Sequence, residues 1–202
     1  MRFICLDFET NGFGKKGVVP YADWPRPFWN YPIQIAVAVV QSDFGVEYAF
    51  DTLIQGATNF APWVCENVPV NLEDLPGGKK LDEVILDLAG LLQEGDTIVA
   101  HNVDFDMNTV LAKAAGRLDI DTPELRRILE APRFCTMRCE YSRTVFGKRP
   151  KLADLCKHFQ VGLENAHDAK SDTLALAECV SEALRRGVML EPKPLIIPPK
   201  TT

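Results

Sequence analysis

Three segments of this 202-residue chain place carboxylates where a strand or loop meets a helix. They are "DFE" with Asp7 and Glu9, "HNVDFD" with Asp104 and Asp106, and "HDAKSD" with Asp168 and Asp172. Strand alternation points Asp7 and Glu9 toward one face, roughly 7 Å apart along the backbone. Singly the others are ordinary: Asp104 and Asp168 suit the positive end of a helix dipole, and Asp168 is a natural cap. Gathered together they accumulate like charge. Two carboxylates about 4 Å apart repel by about 4 kcal/mol at an effective dielectric near 20, so four ionised groups in one place cost more than a marginally stable fold supplies. Divalent cations remove that cost, and an all-oxygen donor set selects hard ones, Mg²⁺ or Mn²⁺. Two such ions hold the attacking and leaving oxygens of an in-line phosphoryl displacement, so phosphodiester hydrolysis is the chemistry this set suits.

An attacking water also benefits from a base that titrates near neutrality, which is the province of histidine. The chain offers His101, His158 and His167. His158 falls inside an amphipathic pattern beside Phe159 and reads as structural or surface. His101 closes a buried strand, where backbone groups would hold the ring. His167 lies in the polar stretch "ENAHDA", five residues before Asp172, and is favoured over His101 as the general base.

The elements that must position these groups follow from periodicity. Residues 2–8, 33–41 and 46–54 are rich in Ile, Val, Phe and Tyr, which predicts three strands with a hairpin at "SDFG". Residues 80–93 carry apolar side chains at helical spacing, and 96–101 then reads as a buried strand. A helix follows over 103–115, with Asn102 as its cap and Gly116 at its end. A helix at 123–130, a strand at 133–136 and helices at 137–146, 151–160 and 169–186 complete the pattern. Helices following strands predict parallel pairing in the second half. Strands one and four side by side would bring the first two carboxylate segments together.

Residues 10–32 form a long connection with Gly12, Gly14, Gly17 and Pro20 followed by "YADWPRPFWNYP". Stacking on an aromatic is worth roughly 1–3 kcal/mol per base. Phe13, Trp24, Phe28 and Trp29 are candidates for it, with self-packing of the loop as the other reading. Alternation turns Phe8 into the core. Arg143, Lys148, Arg149 and Lys151 in "SRTVFGKRPK" suit phosphate contact or a solvated junction. Asn102 either positions substrate or caps its helix.

With 47% hydrophobic residues and no repeat, residues 1–186 read as one domain, followed by a proline-rich tail over 187–202. The tail is expected to be loosely held, with a protein partner as the alternative. A net charge of −6 argues against coating nucleic acid by charge alone, yet permits an enzyme that touches a strand at one pocket. Six sparsely spaced cysteines fit reduced thiols. Cys135, Cys139, Cys156 and His158 form a weak zinc pattern because no C-x-x-C hairpin is present. Asp7 and Glu9 interrupt the apolar start, and no run reaches membrane-span length. A cytoplasmic protein is expected, with the nucleus also open and no membrane partner.

The segments "DFET", "HNVDFD" and "HDAKSD" resemble the three motifs of the DEDDh subgroup of 3′–5′ exonucleases. That subgroup includes polymerase proofreading subunits, ribonuclease T and oligoribonuclease. The resemblance spans residues 1–186 in order and includes the "FCT" strand at 134–136 and the "LADLCKHF" helix at 152–159. It implies an α/β, ribonuclease H-like fold: a five-stranded mixed sheet of order 3-2-1-4-5 flanked by helices. It also implies release of nucleoside monophosphates from the 3′ end of DNA or RNA, with two divalent cations as cofactors. By the same resemblance Asp7 bridges both cations, Glu9 and Asp172 complete one site, Asp106 supports the other, and His167 is the base. The implied partner is a nucleic acid, a single strand or a 3′ end, with no oligomeric state attached. Three features depart from the pattern: the long 10–32 loop, Asp168 where a basic residue is frequent, and Thr173 in place of the common alanine. A catalytically silent binding module of the same fold is the alternative, and the presence of all five residues speaks for the enzyme.

Overall fold

The computed structural model describes residues 1–12 and 30–188. Phe13, Trp24, Phe28 and Trp29 lie outside the described residues, as does the tail from residue 189. Five strands form one sheet in the order β3-β2-β1-β4-β5. They are β1 (Phe3–Thr10), β2 (Pro32–Val40), β3 (Val46–Leu53), β4 (Thr97–Ala100) and β5 (Arg133–Cys135). The first three pair antiparallel, whereas β4 runs parallel to β1 and β5 parallel to β4, as the order of elements predicts.

All nine residues of β2, "PIQIAVAVV", are buried, so the sheet must be covered on both faces. On one face Ile4, Leu6, Phe8, Ile35, Val37 and Val39 pack against α2 (Leu81–Leu91), α4 (Pro123–Glu130) and the helical segment after β4. On the other, Phe3, Cys5, Ala38 and Val40 meet Leu176, Ala177 and Val180 of α7 (Ala169–Arg185). The helix α6 (Leu152–Phe159) packs on the outer side of α7 through Leu155, Cys156 and Phe159. Local chemistry sets the boundaries: α4 starts where Thr122 Oγ1 accepts from the Leu125 N–H, with Pro123 in its first turn. The helix α5 (Glu140–Phe146) begins three residues later than its spacing predicts, because Cys139 Sγ caps the Ser142 N–H after a turn at 136–138. It ends at Gly147, whose φ of 64° is left-handed and cheap only for glycine.

Two sequence expectations need correction. The segment 55–79, left without elements by its sequence, contains α1 (Pro62–Asn67) and a 3₁₀ turn (Leu72–Gly77) that cover Ile33 with Val64, Val68 and Leu75. The helix after β4 does not use the Asn102 side chain as its cap. The Phe105 N–H bonds instead to the Asn102 backbone carbonyl at 2.6 Å. Asn102 Oδ1 is buried with no hydrogen-bond partner among the described residues. That helix opens with a π-helical stretch, Phe105–Leu111, before regular α3 (Ala112–Arg117). Among the described residues no helix is long and apolar enough to cross a membrane.

Candidate active site

Alternation along β1 sends Phe3 and Cys5 to the α7 side and Ile4, Leu6 and Phe8 to the opposite core. Asp7 and Glu9 therefore share the α7 face, while Phe8 is 4% exposed and structural, as expected. In the register with β2, Asp7 stands across from Ala36 and Glu9 across from Gln34. The parallel pairing of β1 with β4 stops at Cys5 and Val99, so β1 projects beyond its neighbour. The Phe8 N–H, past the end of that ladder, donates to Asp106 Oδ1 at 3.3 Å. This bond fixes the second carboxylate segment beside the first, and Asp106 is 3% exposed.

The third segment arrives on α7. Asp168 caps the helix by accepting from the Ser171 N–H, and Asp172 sits in the first turn. Asp172 Oδ2 accepts from the His167 N–H at 3.2 Å. Asp172 Oδ1 is buried with no hydrogen-bond partner among the described residues. His167 is exposed, with φ at 71°. Its ring meets Trp63 of α1 edge to face, centroids 5.0 Å apart. One potential ligand atom each from Glu9, His167 and Asp172 lies within 4.8 Å of the other two.

The electrostatics report the same convergence. Burial, then Asp106, Glu9, Asp172 and Asp168, push the Asp7 carboxyl well above its ordinary range. Burial and then Asp172, Asp168 and Asp106 raise Glu9 to about 8. Burial raises Asp106 to about 7 against the opposing Phe8 N–H. Asp172 is raised by burial and by Asp168, with His167 acting the other way. Among the described residues no lysine or arginine forms an ion pair with Asp7, Glu9, Asp106 or Asp172. Four acids with no cationic partner among the described residues, one of them with a buried oxygen that has no hydrogen-bond partner there either, fit hard divalent cations.

This arrangement has a thermodynamic consequence. A carboxyl whose pKa is higher folded than unfolded binds more protons in the folded state between the two values, so stability falls as pH rises through that window. For Glu9 the window runs from 4.5 to about 8. In EDTA the melting temperature is expected to fall between pH 5 and pH 8. Mg²⁺ or Mn²⁺ should restore it, with a larger gain at pH 8 than at pH 5, where protons occupy the same oxygens. Thermal melts across that range check this, and a cation effect independent of pH would contradict it.

The remaining candidates separate into anchors and surface. His101 bonds Thr136 Oγ1 at 2.9 Å and the Pro150 carbonyl at 3.1 Å, and burial lowers its pKa. It is held, as the sequence suggested, and it ties down the turn that carries the exposed Lys148 and Arg149. Arg143 is exposed and paired with Glu140. His158 bonds the Tyr141 hydroxyl at 2.7 Å, and Cys156 lies 3.7 Å from Cys179, sulfur to sulfur. Asp104 pairs with Arg138. Sequence reasoning missed Trp63, which sits among prolines with no readable period. It also missed Gln34, whose one signal was a polar residue inside an otherwise apolar buried strand.

A five-stranded mixed sheet of this order, flanked by helices, is the ribonuclease H-like fold. The chain belongs to the exonuclease family, whose ribonuclease T model matches residues 4–180. It is 23% identical over 188 residues to the PolC-type DNA polymerase III of Clostridium perfringens (strain 13 / Type A), covering 92% of this chain. The chain thus spans only 11% of that polymerase's length. It superposes on a 3′-exonuclease solved in 3′-end-specific recognition of a histone mRNA stem-loop, with a TM-score of 0.72 and 14% identity. That match covers 95% of this chain and 84% of the other. S. pombe Pop2p in its Mg²⁺- and Mn²⁺-bound form matches with a TM-score of 0.64 and 18% identity, covering 91% and 83% of the two chains.

Proposed function

We propose that this protein is a divalent-metal-dependent 3′–5′ exonuclease that releases nucleoside monophosphates from DNA or RNA by a two-metal-ion route. The observation that carries the reading is the meeting of Asp7, Glu9, Asp106 and Asp172, from three separate segments, with no cationic side chain among the described residues paired to any of them. Asp7, Glu9, Asp106 and Asp172 would hold the cations, with Asp7 shared between the two, Glu9 and Asp172 completing one site and Asp106 supporting the other. When bound, the pair supplies charge stabilisation at the scissile phosphate and alignment of the attacking and leaving oxygens.

The chain's own groups do the rest. His167, exposed on its loop, takes a proton at a ring nitrogen from the water that attacks phosphorus. The P–O3′ bond breaks, O3′ takes a proton from solvent water, and the products are a 3′-hydroxyl on the shortened strand and a free 5′-monophosphate. Lys148 and Arg149, on the turn held by His101, contact backbone phosphates without reading sequence. Asn102 Oδ1, an acceptor with no partner among the described residues and next to the Asp106 segment, receives a donor from the terminal nucleotide. Both nucleic acids stay in the reading, because the relatives include a DNA polymerase and an exonuclease that recognises an mRNA stem-loop.

The test is a time course on 3′-labelled and 5′-labelled DNA and RNA oligomers with Mg²⁺ or Mn²⁺, repeated with EDTA. A labelled 3′-terminal mononucleotide should leave first, and none should leave in chelator. Cleavage of a circular strand, or release that EDTA does not reduce, would overturn the proposal. Cation-dependent melting without hydrolysis would point to a silent binding module of the same fold.

A further inference from the structure

Gln34 has both ends of its side-chain amide in use, 134 and 135 residues away in sequence. Its Nε2 donates to Asp168 Oδ1 at 3.1 Å, and its Oε1 accepts from the Ala169 N–H at 3.3 Å. The orientation is forced: turned over, the amide would set its carbonyl against a carboxylate and its NH₂ against an N–H. The other oxygen of Asp168 is occupied by the N–H and hydroxyl of Ser171. Ala169 N–H is one of the first helical amides, which have no partner within the helix. Gln34 is 7% exposed, so each of these bonds replaces one to water.

A second tie lies next along the same strand. Thr173 Oγ1, on a residue 1% exposed, donates to the Ala36 carbonyl at 3.3 Å. Gln34 stands opposite Glu9 and Ala36 opposite Asp7 in the β1–β2 register. The first turn of α7 is thus fastened to β2 at the two positions that flank the β1 carboxylates. Asp172 is the residue before Thr173, and His167 is the residue before Asp168. Two of the three departures from the exonuclease pattern, Asp168 and Thr173, are the α7 halves of these two ties.

We infer that Gln34 is a positioning residue of the active site: its amide clamp on Asp168 and Ala169 sets the placement of Asp172 and His167 against Glu9 and Asp7. This rests on the exonuclease reading for its kinetic consequence, because a misplacement of about 1 Å can cost on the order of 10²-fold in rate. Its geometric consequence, the closeness of Asp172 to Glu9, is read by cation binding whether or not the protein is an exonuclease.

The experiment compares Gln34→Leu, Gln34→Glu, Asp168→Asn and the double variant Gln34→Glu/Asp168→Asn, each well below its melting temperature. Readouts are kcat, KM and the Mn²⁺ concentration at the midpoint of thermal stabilisation. Gln34→Leu should lower kcat by about 10- to 100-fold with little change in KM, and raise the Mn²⁺ midpoint by about tenfold, as outer-shell losses do. Gln34→Glu alone sets two acceptors face to face, and Asp168→Asn alone sets two donors face to face, so both should be impaired. Together they reverse donor and acceptor and should recover most of kcat and of the Mn²⁺ midpoint, a coupling that independent structural defects would not give. Should Gln34→Leu fail to fold, Thr173→Val removes the second tie at constant shape and should shift kcat and the midpoint the same way. Lower melting temperatures with kcat and the Mn²⁺ midpoint unchanged, or no recovery in the double variant, would reduce Gln34 to a structural residue. A wild-type protein with a Mn²⁺ midpoint but no hydrolysis would defeat the exonuclease reading, while the midpoints would still decide the clamp.

Discussion

Asp7→Asn is expected to yield a protein that resists heat better than the wild type in EDTA at pH 8, yet hydrolyses phosphodiesters at least about 10³-fold more slowly. The two effects share one cause. Asp7 faces Asp106, Glu9 and Asp172, all of which disfavour its ionised form. Asparagine keeps the volume and removes one charge from the cluster, so the repulsion that destabilises the cation-free fold falls. The same change takes away a carboxylate that would hold divalent cations under the proposed function, whose charge stabilisation is worth several kcal/mol in the transition state, with about 1.4 kcal/mol per factor of ten in rate. The Mn²⁺-dependent rise in melting temperature should shrink alongside the rate. Paired melts and single-turnover rates for wild type and variant decide it. A lower melting temperature in EDTA, or a rate within tenfold of the wild type, would remove Asp7 from the centre of the site. Because the variant is predicted to be the more stable apo protein, loss of activity through misfolding is separable from loss of chemistry.

Much of this site can be read from residue order because its parts obey short-range rules. Asp7 and Glu9 share a face through strand alternation alone. Asp106 follows a buried strand that had to neighbour β1, and Asp168 announces the start of α7 as a cap. What stayed hidden depends on partners distant in sequence. Gln34 in a fully buried strand signals an obligatory hydrogen-bond partner, but nothing local identifies Asp168 as that partner. Trp63 lies between Pro62 and Pro69, where proline interrupts any period, and α1 exists because Val64 and Val68 complete a small core around Ile33. The π-helical stretch is invisible for another reason: Met107, Val110, Leu111 and Ala114 keep the apolar spacing of an ordinary helix while the backbone bonds shift. Asn102 has a capping residue's identity, yet the Phe105 N–H takes its backbone carbonyl, which leaves the side-chain oxygen over.

His167→Ala should lower the hydrolysis rate by about 10²–10⁴-fold, the usual loss when a positioned general base is removed, and leave the Mg²⁺ midpoint of thermal stabilisation where it was. The second half matters because the geometry offers two roles to this imidazole. Its ligand atom lies within 4.8 Å of those of Glu9 and Asp172, close enough to join a cation site. Mg²⁺, however, takes oxygen ligands, and the contact that His167 makes with Asp172 is through its backbone N–H, which alanine preserves. The ring itself leans on Trp63 and is otherwise exposed, as a base that must reach an incoming water needs to be. Imidazole added to the His167→Ala enzyme should restore part of the rate, since the missing function is proton acceptance and the vacated space opens to solvent. A Mg²⁺ midpoint raised tenfold in this variant, without rescue by imidazole, would assign His167 to the cation instead. A rate equal to the wild type would return the search for the base to solvent, because His101 is held between Thr136 and Pro150 and cannot approach the phosphate.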